Sequence, residues 1–196
     1  MKTTIYFFMA VLCLFLSACN SGKKEESQTK IYDPVEDSLN EDPVKRGEFL
    51  VNSIGCHDCH TPKKVADDGS IVLDTSRLLS GHPAEEQLPE YDAKTAQSYI
   101  LFTMGLTSAT GPWGTSFASN LTPDATGIGS WTEAQFLTAI KRGLYKGLEG
   151  SRPILPPMPL ESLRHLPDDD LKAIFAYLKS LDPVENVVPA SLPPGA

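Results

Sequence analysis

Two cysteines and a histidine stand in the spacing Cys-x-x-Cys-His at residues 56–60 of this chain. Thiols three positions apart can reach two neighbouring points on one edge of a planar ligand, and the two vinyl groups of a haem are such points. Cys56 and Cys59 can therefore each form a thioether bond. The imidazole of His60, directly after them, can then bind the haem iron from one side of the ring. The spacing predicts one covalently bound haem of the c type.

The same Cys-x-x-Cys spacing occurs in zinc sites and in redox-active dithiols, which are the two alternatives. Zinc would require a second pair of ligands, and the chain, with four cysteines in all, has no other Cys-x-x-Cys pair. A thioredoxin-like dithiol would be expected in a βαβ unit, and the hydrophobic pattern around the motif does not indicate one. The pattern therefore favours haem over both alternatives.

A methionine thioether is a common second ligand for such an iron, and the chain has four methionines. Met1 and Met9 fall in the N-terminal signal described below, which leaves Met104 and Met158. Met158 lies in the segment Leu-Pro-Pro-Met-Pro at residues 155–159, where the prolines restrict the backbone on both sides. A rigid loop of this kind can hold a thioether over the iron. Met104 lies in an apolar run, where the ordinary role of a methionine is core packing. We therefore predict Met158 as the axial ligand.

Two histidines remain as alternative ligands, His82 and His165. Both lie outside any clear periodic segment, and a histidine on a loop is usually a solvated surface residue. They are therefore less favoured than Met158.

A histidine–methionine pair predicts the type of function. The thioether is a soft, weakly donating ligand that favours ferrous iron, and two axial ligands leave no position open for oxygen or peroxide. Such a site passes one electron and does no catalysis, so we predict an electron carrier and not an enzyme. The alternative is a haem enzyme or gas sensor, such as a small peroxidase, with an open or labile sixth position.

The N-terminus is predicted to be a targeting segment. Lys2 gives it a positive start, and residues 5–16 form an apolar run that is short for a membrane span but typical of a secretory signal. The run ends in Leu-Ser-Ala-Cys at residues 16–19, which resembles the lipobox of bacterial lipoproteins. That resemblance implies a signal peptide over residues 1–18 and a diacylglycerol on Cys19. In the alternative, an ordinary signal peptide, Cys19 would be incidental.

Residues 19–42 are polar and charged, without a periodic apolar face. A segment of this composition buries too little surface to offset its ordering entropy, so we predict a flexible tether that spans on the order of 25 Å. Asn20 is not the aspartate associated with inner-membrane retention in enteric bacteria. We therefore expect a membrane-anchored lipoprotein on the periplasmic side of the cell envelope, with the outer membrane slightly favoured.

Charge and length limit the function further. Residues 43–190 are long enough for one cytochrome domain, followed by a tail at residues 191–196. The whole chain carries 17 basic and 25 acidic residues, a formal net charge of −8, and loss of Lys2 with the signal makes it more acidic. This balance argues against nucleic acid or anionic lipid as a partner and for a basic or neutral docking surface; the alternative is that the acidic residues only keep the protein soluble. The predicted partner is an exported dehydrogenase, oxidase or reductase.

Three helices are predicted from caps and apolar periodicity. The first begins at Asp42-Pro43 and carries a stripe with Gly47 in it, which indicates that another helix packs very close there. The second begins at Thr132, which forms a capping box with Gln135, and ends near Gly143. The third follows Pro167, with three aspartates in its first turn. Glycines and prolines interrupt the pattern between residues 62 and 129, where residues 99–104 could form a short helix or a buried strand.

Residues 45–189 resemble class I c-type cytochromes, of the kind found as cytochrome subunits of membrane-bound bacterial alcohol and sugar dehydrogenases. Those subunits usually carry three haem domains, whereas this chain has one haem motif. The matching stretches outside that motif are RGEFLV at residues 46–51, NLTPD at 120–124, TGIG at 126–129, PPMP at 156–159 and AYLKSL at 176–181.

The resemblance implies an all-α fold around one haem, with an enlarged loop region between the haem motif and the axial methionine. It implies covalent attachment through Cys56 and Cys59 and iron ligation by His60 and Met158. It also implies that the first and third helices cross at one side of the haem crevice. We expect this crossing at Gly47, with Tyr177 against the missing side chain.

Overall fold

The structure is a computed structural model, and it describes residues 42–195. The predicted signal peptide, Cys19 and nearly all of the predicted tether lie outside the described residues. In chain order the helices are α1 (Pro43–Ile54), α2 (Cys56–His60), α3 (Ala93–Ala96), α4 (Glu133–Arg142), α5 (Leu160–Leu163) and α6 (Asp168–Ser180). The strands are β1 (Lys63–Val65), β2 (Ile71–Leu73), β3 (Leu101–Phe102), β4 (Ser108–Gly111) and β5 (Gly114–Phe117).

The predicted start of α1 is confirmed. The Asp42 side chain accepts a hydrogen bond from the Val44 backbone N–H at 2.9 Å, and Pro43 occupies the first turn. The helix ends at Gly55, whose φ of 81° lies in the left-handed region that glycine adopts without a steric penalty. Since α2 begins at the next residue, Gly55 sets the direction in which the haem motif leaves α1.

The other two predicted helices are also confirmed. The capping box at the start of α4 is complete, because Gln135 N–H donates to the Thr132 hydroxyl and the Gln135 side chain accepts from the Thr132 N–H. Gly143 ends α4 in a left-handed conformation with a φ of 66°. The final helix, α6, begins after Pro167 with three aspartates in its first turn, where negative charge is favourable.

Helices α1 and α6 cross closely at Gly47. A Cβ atom at Gly47 would lie 2.0 Å from the carbonyl oxygen of Ala173 and 2.7 Å from the Cβ of Tyr177, so the predicted contact with Tyr177 is confirmed. Arg46 and Asp170 join the same two helices through hydrogen bonds of 2.9 and 3.3 Å. The two helices therefore pack backbone against backbone at Gly47 and Ala173, with an ion pair beside the crossing.

The main core lies around this helix pair and α4. Its buried members come from α1, α4, α5 and α6 and from two loop positions; they are Leu50, Val51, Leu79, Ile128, Phe136, Ile140, Leu163, Leu171, Ile174, Phe175 and Leu178. Cys56, Trp131 and Met158 are partly buried against the same cluster. The predicted haem motif and the predicted ligand loop therefore pack against the same hydrophobic core.

The expected all-α fold is not confirmed, because the enlarged loop region contains two small antiparallel sheets. Strand β1 pairs with β2, and β4 lies between β3 and β5. Short strands with frequent glycines and prolines give too little periodicity for a sequence pattern to reveal them. The predicted enlargement between the haem motif and Met158 is present, but it is partly strand and not only loop.

The apolar run at residues 99–104 forms neither a helix nor a buried strand. Its central residues form β3, at an edge of the second sheet. Phe102 is 44% exposed and Met104 is 79% exposed, so the interpretation of Met104 as a core residue is wrong. Apolar residues at a sheet edge give the same sequence signal as a buried strand, which explains the error.

The residues after 190 pair with the second sheet. The N–H and carbonyl of Leu192 exchange hydrogen bonds of 2.9 and 3.0 Å with Thr115 of β5. Gly114 is required at this contact, since a Cβ atom there would lie 2.0 Å from the Leu192 carbonyl oxygen. Within residues 42–195, no helix combines the length and the apolar character needed to cross a lipid bilayer.

Candidate haem site

The haem motif folds as the short helix α2, so both thiols and the histidine belong to one rigid turn. Cys56 and Cys59 are both free thiols. Burial raises the pKa of the Cys56 thiol to about 11, and burial also raises the pKa of Cys59. A redox-active Cys-x-x-Cys pair has a depressed thiol pKa, which is the opposite direction.

His60 is held in the tautomer that an iron ligand requires. Its ring is buried, and its Nδ1 lies 2.8 Å from the backbone carbonyl oxygen of Ser119. A carbonyl can only accept, so Nδ1 carries the proton and Nε2 keeps its lone pair. Burial lowers the pKa of His60 below its ordinary value, although the Ser119 hydrogen bond acts in the opposite direction. The imidazole is therefore neutral and oriented for ligation through Nε2.

One returning segment, residues 79–81, holds the end of the helix. The Gly81 N–H donates to the carbonyl of His60 at 2.8 Å, and the Leu79 N–H donates to the Thr61 hydroxyl at 2.9 Å. The Leu121 N–H then bonds to the carbonyl of Leu79 at 2.8 Å, which ties this segment to the chain that follows Ser119. The enlarged region thus has a structural role, because its residues Leu79, Gly81 and Ser119 bond to α2 and to the residue that follows it.

The NLTPD stretch, which follows Ser119, forms a set of side-chain-capped turns. The Asn120 side-chain oxygen accepts from the Thr122 N–H at 2.9 Å, and Asp124 accepts from the Thr126 N–H at 2.8 Å. The Asn120 amide also donates to the carbonyl of Val184 at 2.8 Å. These bonds fix the backbone beside Ser119, and with it the carbonyl that orients His60.

Met158 lies in a loop that is anchored at both ends. The Ser116 hydroxyl donates to the carbonyl of Pro156 at 2.6 Å, and the Leu160 N–H donates to the carbonyl of Met158 at 2.8 Å. A cavity of about 340 Å³ lies beside the methionine. Its walls include Arg142, Gly143, Pro157, Met158, Leu160 and Arg164. Met158 is partly buried, whereas Met104 extends into solvent.

The two alternative histidines differ from each other. His82 is fully buried, with its Nδ1 2.9 Å from the Thr107 hydroxyl and its ring 4.7 Å from that of Phe117. Its interpretation as a solvated loop residue is therefore wrong, because the sheet built from β3 to β5 covers it. His165 is exposed, as expected.

The donor set fits a c-type haem. It provides two free thiols on one turn, a neutral imidazole with one free nitrogen, and a partly buried thioether on an anchored loop. Within residues 42–195, no cluster of three or more His, Cys, Asp or Glu side chains is placed to hold a metal ion.

Sequence reasoning missed the Ser119 carbonyl and the bracing segments at Leu79 and Gly81. Backbone donors and acceptors are the same in every residue, so they leave no signature in the sequence. The signal that could have indicated a fixed chain at this point is the turn-forming composition of residues 120–124.

Comparison with known proteins identifies the class. No family model matches the chain. The chain is similar to the cytochrome c subunits of bacterial dehydrogenases. It is 31% identical to the gluconate 2-dehydrogenase cytochrome c subunit of Pantoea cypripedii over 144 residues, which are 73% of this chain and 24% of the relative.

Two further relatives agree with this class. The fructose dehydrogenase cytochrome subunit of Gluconobacter japonicus is 25% identical over 159 residues, 80% of this chain and 25% of the relative. The cytochrome c subunit of the quinone-dependent alcohol dehydrogenase of Gluconobacter oxydans is 28% identical over 135 residues, 68% of this chain and 20% of the relative. The chain therefore spans a quarter or less of the length of these relatives.

Proposed function

We propose that this protein is an electron carrier with one haem c, bound covalently through Cys56 and Cys59 and ligated by His60 and Met158. The hydrogen bond from His60 Nδ1 to the Ser119 carbonyl carries the proposal. It fixes the tautomer that leaves Nε2 free, and it does so beside two thiols in the spacing for thioether attachment. Neither zinc nor a catalytic dithiol accounts for all three features.

The residues of the chain perform three tasks in this function. Cys56 and Cys59 attach the group permanently, so that it is not lost in an exported protein. His60, held by Ser119, would provide a nitrogen ligand in a fixed orientation. Met158 would provide a thioether ligand and would thereby keep oxygen and peroxide from the iron. When bound, the haem accepts and donates one electron at a time, and the soft thioether favours its reduced form.

The proposed partner is an exported dehydrogenase, because the relatives are named as subunits of dehydrogenases for gluconate, fructose and alcohol. This chain would carry electrons and would not oxidise the substrate itself.

We further propose that Cys19 carries a lipid and that the protein lies on the periplasmic side of the cell envelope. The outer membrane is slightly favoured by Asn20. These proposals rest on the N-terminal sequence, which lies outside the described residues.

Covalent attachment is tested with the double substitution of Cys56 and Cys59 by alanine. The unaltered protein should retain haem on a denaturing gel, detected by its peroxidase stain, and the variant should not. Alanine at the exposed His165 is the matched control and should leave the stain unchanged. Haem retained by the double variant would contradict the attachment site.

The ligation is tested by a weak absorption band near the red end of the visible spectrum, which marks methionine bound to ferric iron.

A further inference from the structure

Lys63 lies three residues after His60, and its side chain folds back under the haem motif. Its Nζ contacts three backbone carbonyl oxygens: that of Thr61 at 2.9 Å, that of His57 at 3.4 Å, and that of Asp58 in a short contact. These carbonyls belong to the last turn of α2 and to the residue that follows it. An ammonium group has three N–H donors, so the side chain matches the acceptors that the end of the helix presents.

The contact places a positive charge at the end of α2 that carries His60. Carbonyl groups at a helix C-terminus are partly negative, and a cation among them is favourable. The effect reaches the motif itself, since the Lys63 Nζ contacts the carbonyl oxygens of His57 and Thr61, which lie three residues before His60 and one residue after it. The potential at the imidazole of His60 is therefore more positive with Lys63 than without it.

We propose that Lys63 raises the reduction potential of the haem by holding a fixed positive charge behind His60. The inference rests on the proposed function. It gives Lys63, which is not an iron ligand, a role in setting the reduction potential. Reduction adds one electron to ferric iron and removes one positive charge from the site, and no bond forms or breaks. A nearby cation repels the ferric form more than the ferrous form, so it favours reduction.

Lys64 provides a matched control in the next position of the same strand. Its Nζ lies 3.6 Å from Asp74 Oδ1, and its side chain is 55% exposed. Both residues are lysines, and they are neighbours in strand β1. They differ in that only Lys63 contacts the haem motif.

The test is a mediated redox titration of the full-length holoprotein with Lys63→Met, Lys63→Gln, Lys63→Arg and Lys64→Met. Lys63→Met and Lys63→Gln should lower the midpoint potential, so that each is less than half reduced at the potential where the unaltered protein is half reduced. Lys63→Arg keeps the charge and should restore most of the potential. Lys64→Met should titrate like the unaltered protein. If the methionine introduced by Lys63→Met impairs folding, Lys63→Gln still tests the loss of the charge.

A purely structural role for Lys63 makes a different prediction. It would lower the thermal midpoint of the neutral variants and leave the potential unchanged while the methionine–iron band stays intact. That result would overturn the inference. A fall in potential of equal size in Lys64→Met would also overturn it, because the effect would then come from overall charge. If the unaltered protein carries no covalent haem, the proposed function fails, and this inference fails with it.

Discussion

The carbonyl oxygen of Ala173 occupies the space that a side chain at Gly47 would need. A Cβ atom there would lie 2.0 Å from that oxygen, well inside van der Waals contact. The two residues belong to α1 and α6, and α1 leads through Gly55 directly into the haem motif. The absence of one side chain therefore sets how closely α6 can approach α1, the helix that leads into the predicted haem motif.

Gly47→Ala should destabilise the protein by about 1–3 kcal/mol, because the added carbon meets backbone, which cannot rotate away. Haem should stay attached, since the thioether bonds do not depend on the crossing. The methionine–iron band should weaken, because the loop of Met158 leads through α5 into α6. Thermal unfolding of the holoprotein and its visible spectrum measure the two effects.

Gly105→Ala is the control for this substitution. The nearest atom to an added carbon there is the Thr107 hydroxyl oxygen at 3.6 Å, an ordinary contact. Its unfolding midpoint should stay close to that of the unaltered protein. Equal midpoints for Gly47→Ala and the unaltered protein would show that the helices separate without cost.

The helices and their crossing could be predicted because their signals lie in side chains. The capping box at Thr132, the proline after Asp42 and the glycine in the stripe of α1 are all visible in the sequence, and each has a local physical cause. Gly47 was informative because glycine within a helix is costly unless it allows a close approach.

The rest of the site could not be predicted, because it depends on contacts between distant segments. Ser119 orients His60 through a backbone carbonyl 59 residues away in the chain. His82 and Met104 both lie in a region without clear periodicity, and their burial was assigned from the usual behaviour of their residue types. The small sheet reversed both assignments, since it covers His82 and leaves Met104 in solvent.

Met158→Ala should abolish the methionine–iron band and lower the reduction potential, because water or a weaker ligand would replace the thioether. Covalent haem should remain on a denaturing gel. Met104→Ala is the matched control. Its side chain is 79% exposed, so its stability should change by no more than about 0.5 kcal/mol. A band lost in Met104→Ala and kept in Met158→Ala would reverse the assignment of the ligand.

Cys19→Ser should release the protein from the membrane fraction. A lipid on this cysteine would anchor the protein after cleavage of the signal, and the substitution removes the thiol to which the lipid would be attached. The spectrum of the released protein should be unchanged, because the haem motif lies in a separate part of the chain. Fractionation followed by haem staining measures the distribution. A variant that stays in the membrane would mean that another surface or an uncleaved signal holds it.

His82 should make the protein less stable in mild acid. Burial holds the pKa of His82 below its ordinary value, and the nearby Glu86 and Glu85 oppose this shift without cancelling it. In the unfolded chain the same group has a pKa of about 6.5. Below that pH the unfolded chain binds a proton that the folded protein does not. The contribution of neutral His82 to the free energy of unfolding is therefore complete above about pH 6.5. It falls as the pH decreases towards the lower pKa of His82 in the folded protein.

Because unfolding binds one proton in this pH range, the free energy of unfolding decreases by up to about 1.4 kcal/mol for each unit that the pH falls. His82→Gln keeps a polar group of similar reach for the Thr107 hydroxyl and removes the titration. The variant should be less stable at neutral pH, and its unfolding free energy should depend less on pH between about 6.5 and 5. His165→Gln, at an exposed position, should keep the steeper dependence of the unaltered protein. Denaturant unfolding of the holoprotein at a series of pH values gives both slopes, and identical slopes for His82→Gln and the unaltered protein would show that His82 is not buried in its neutral form.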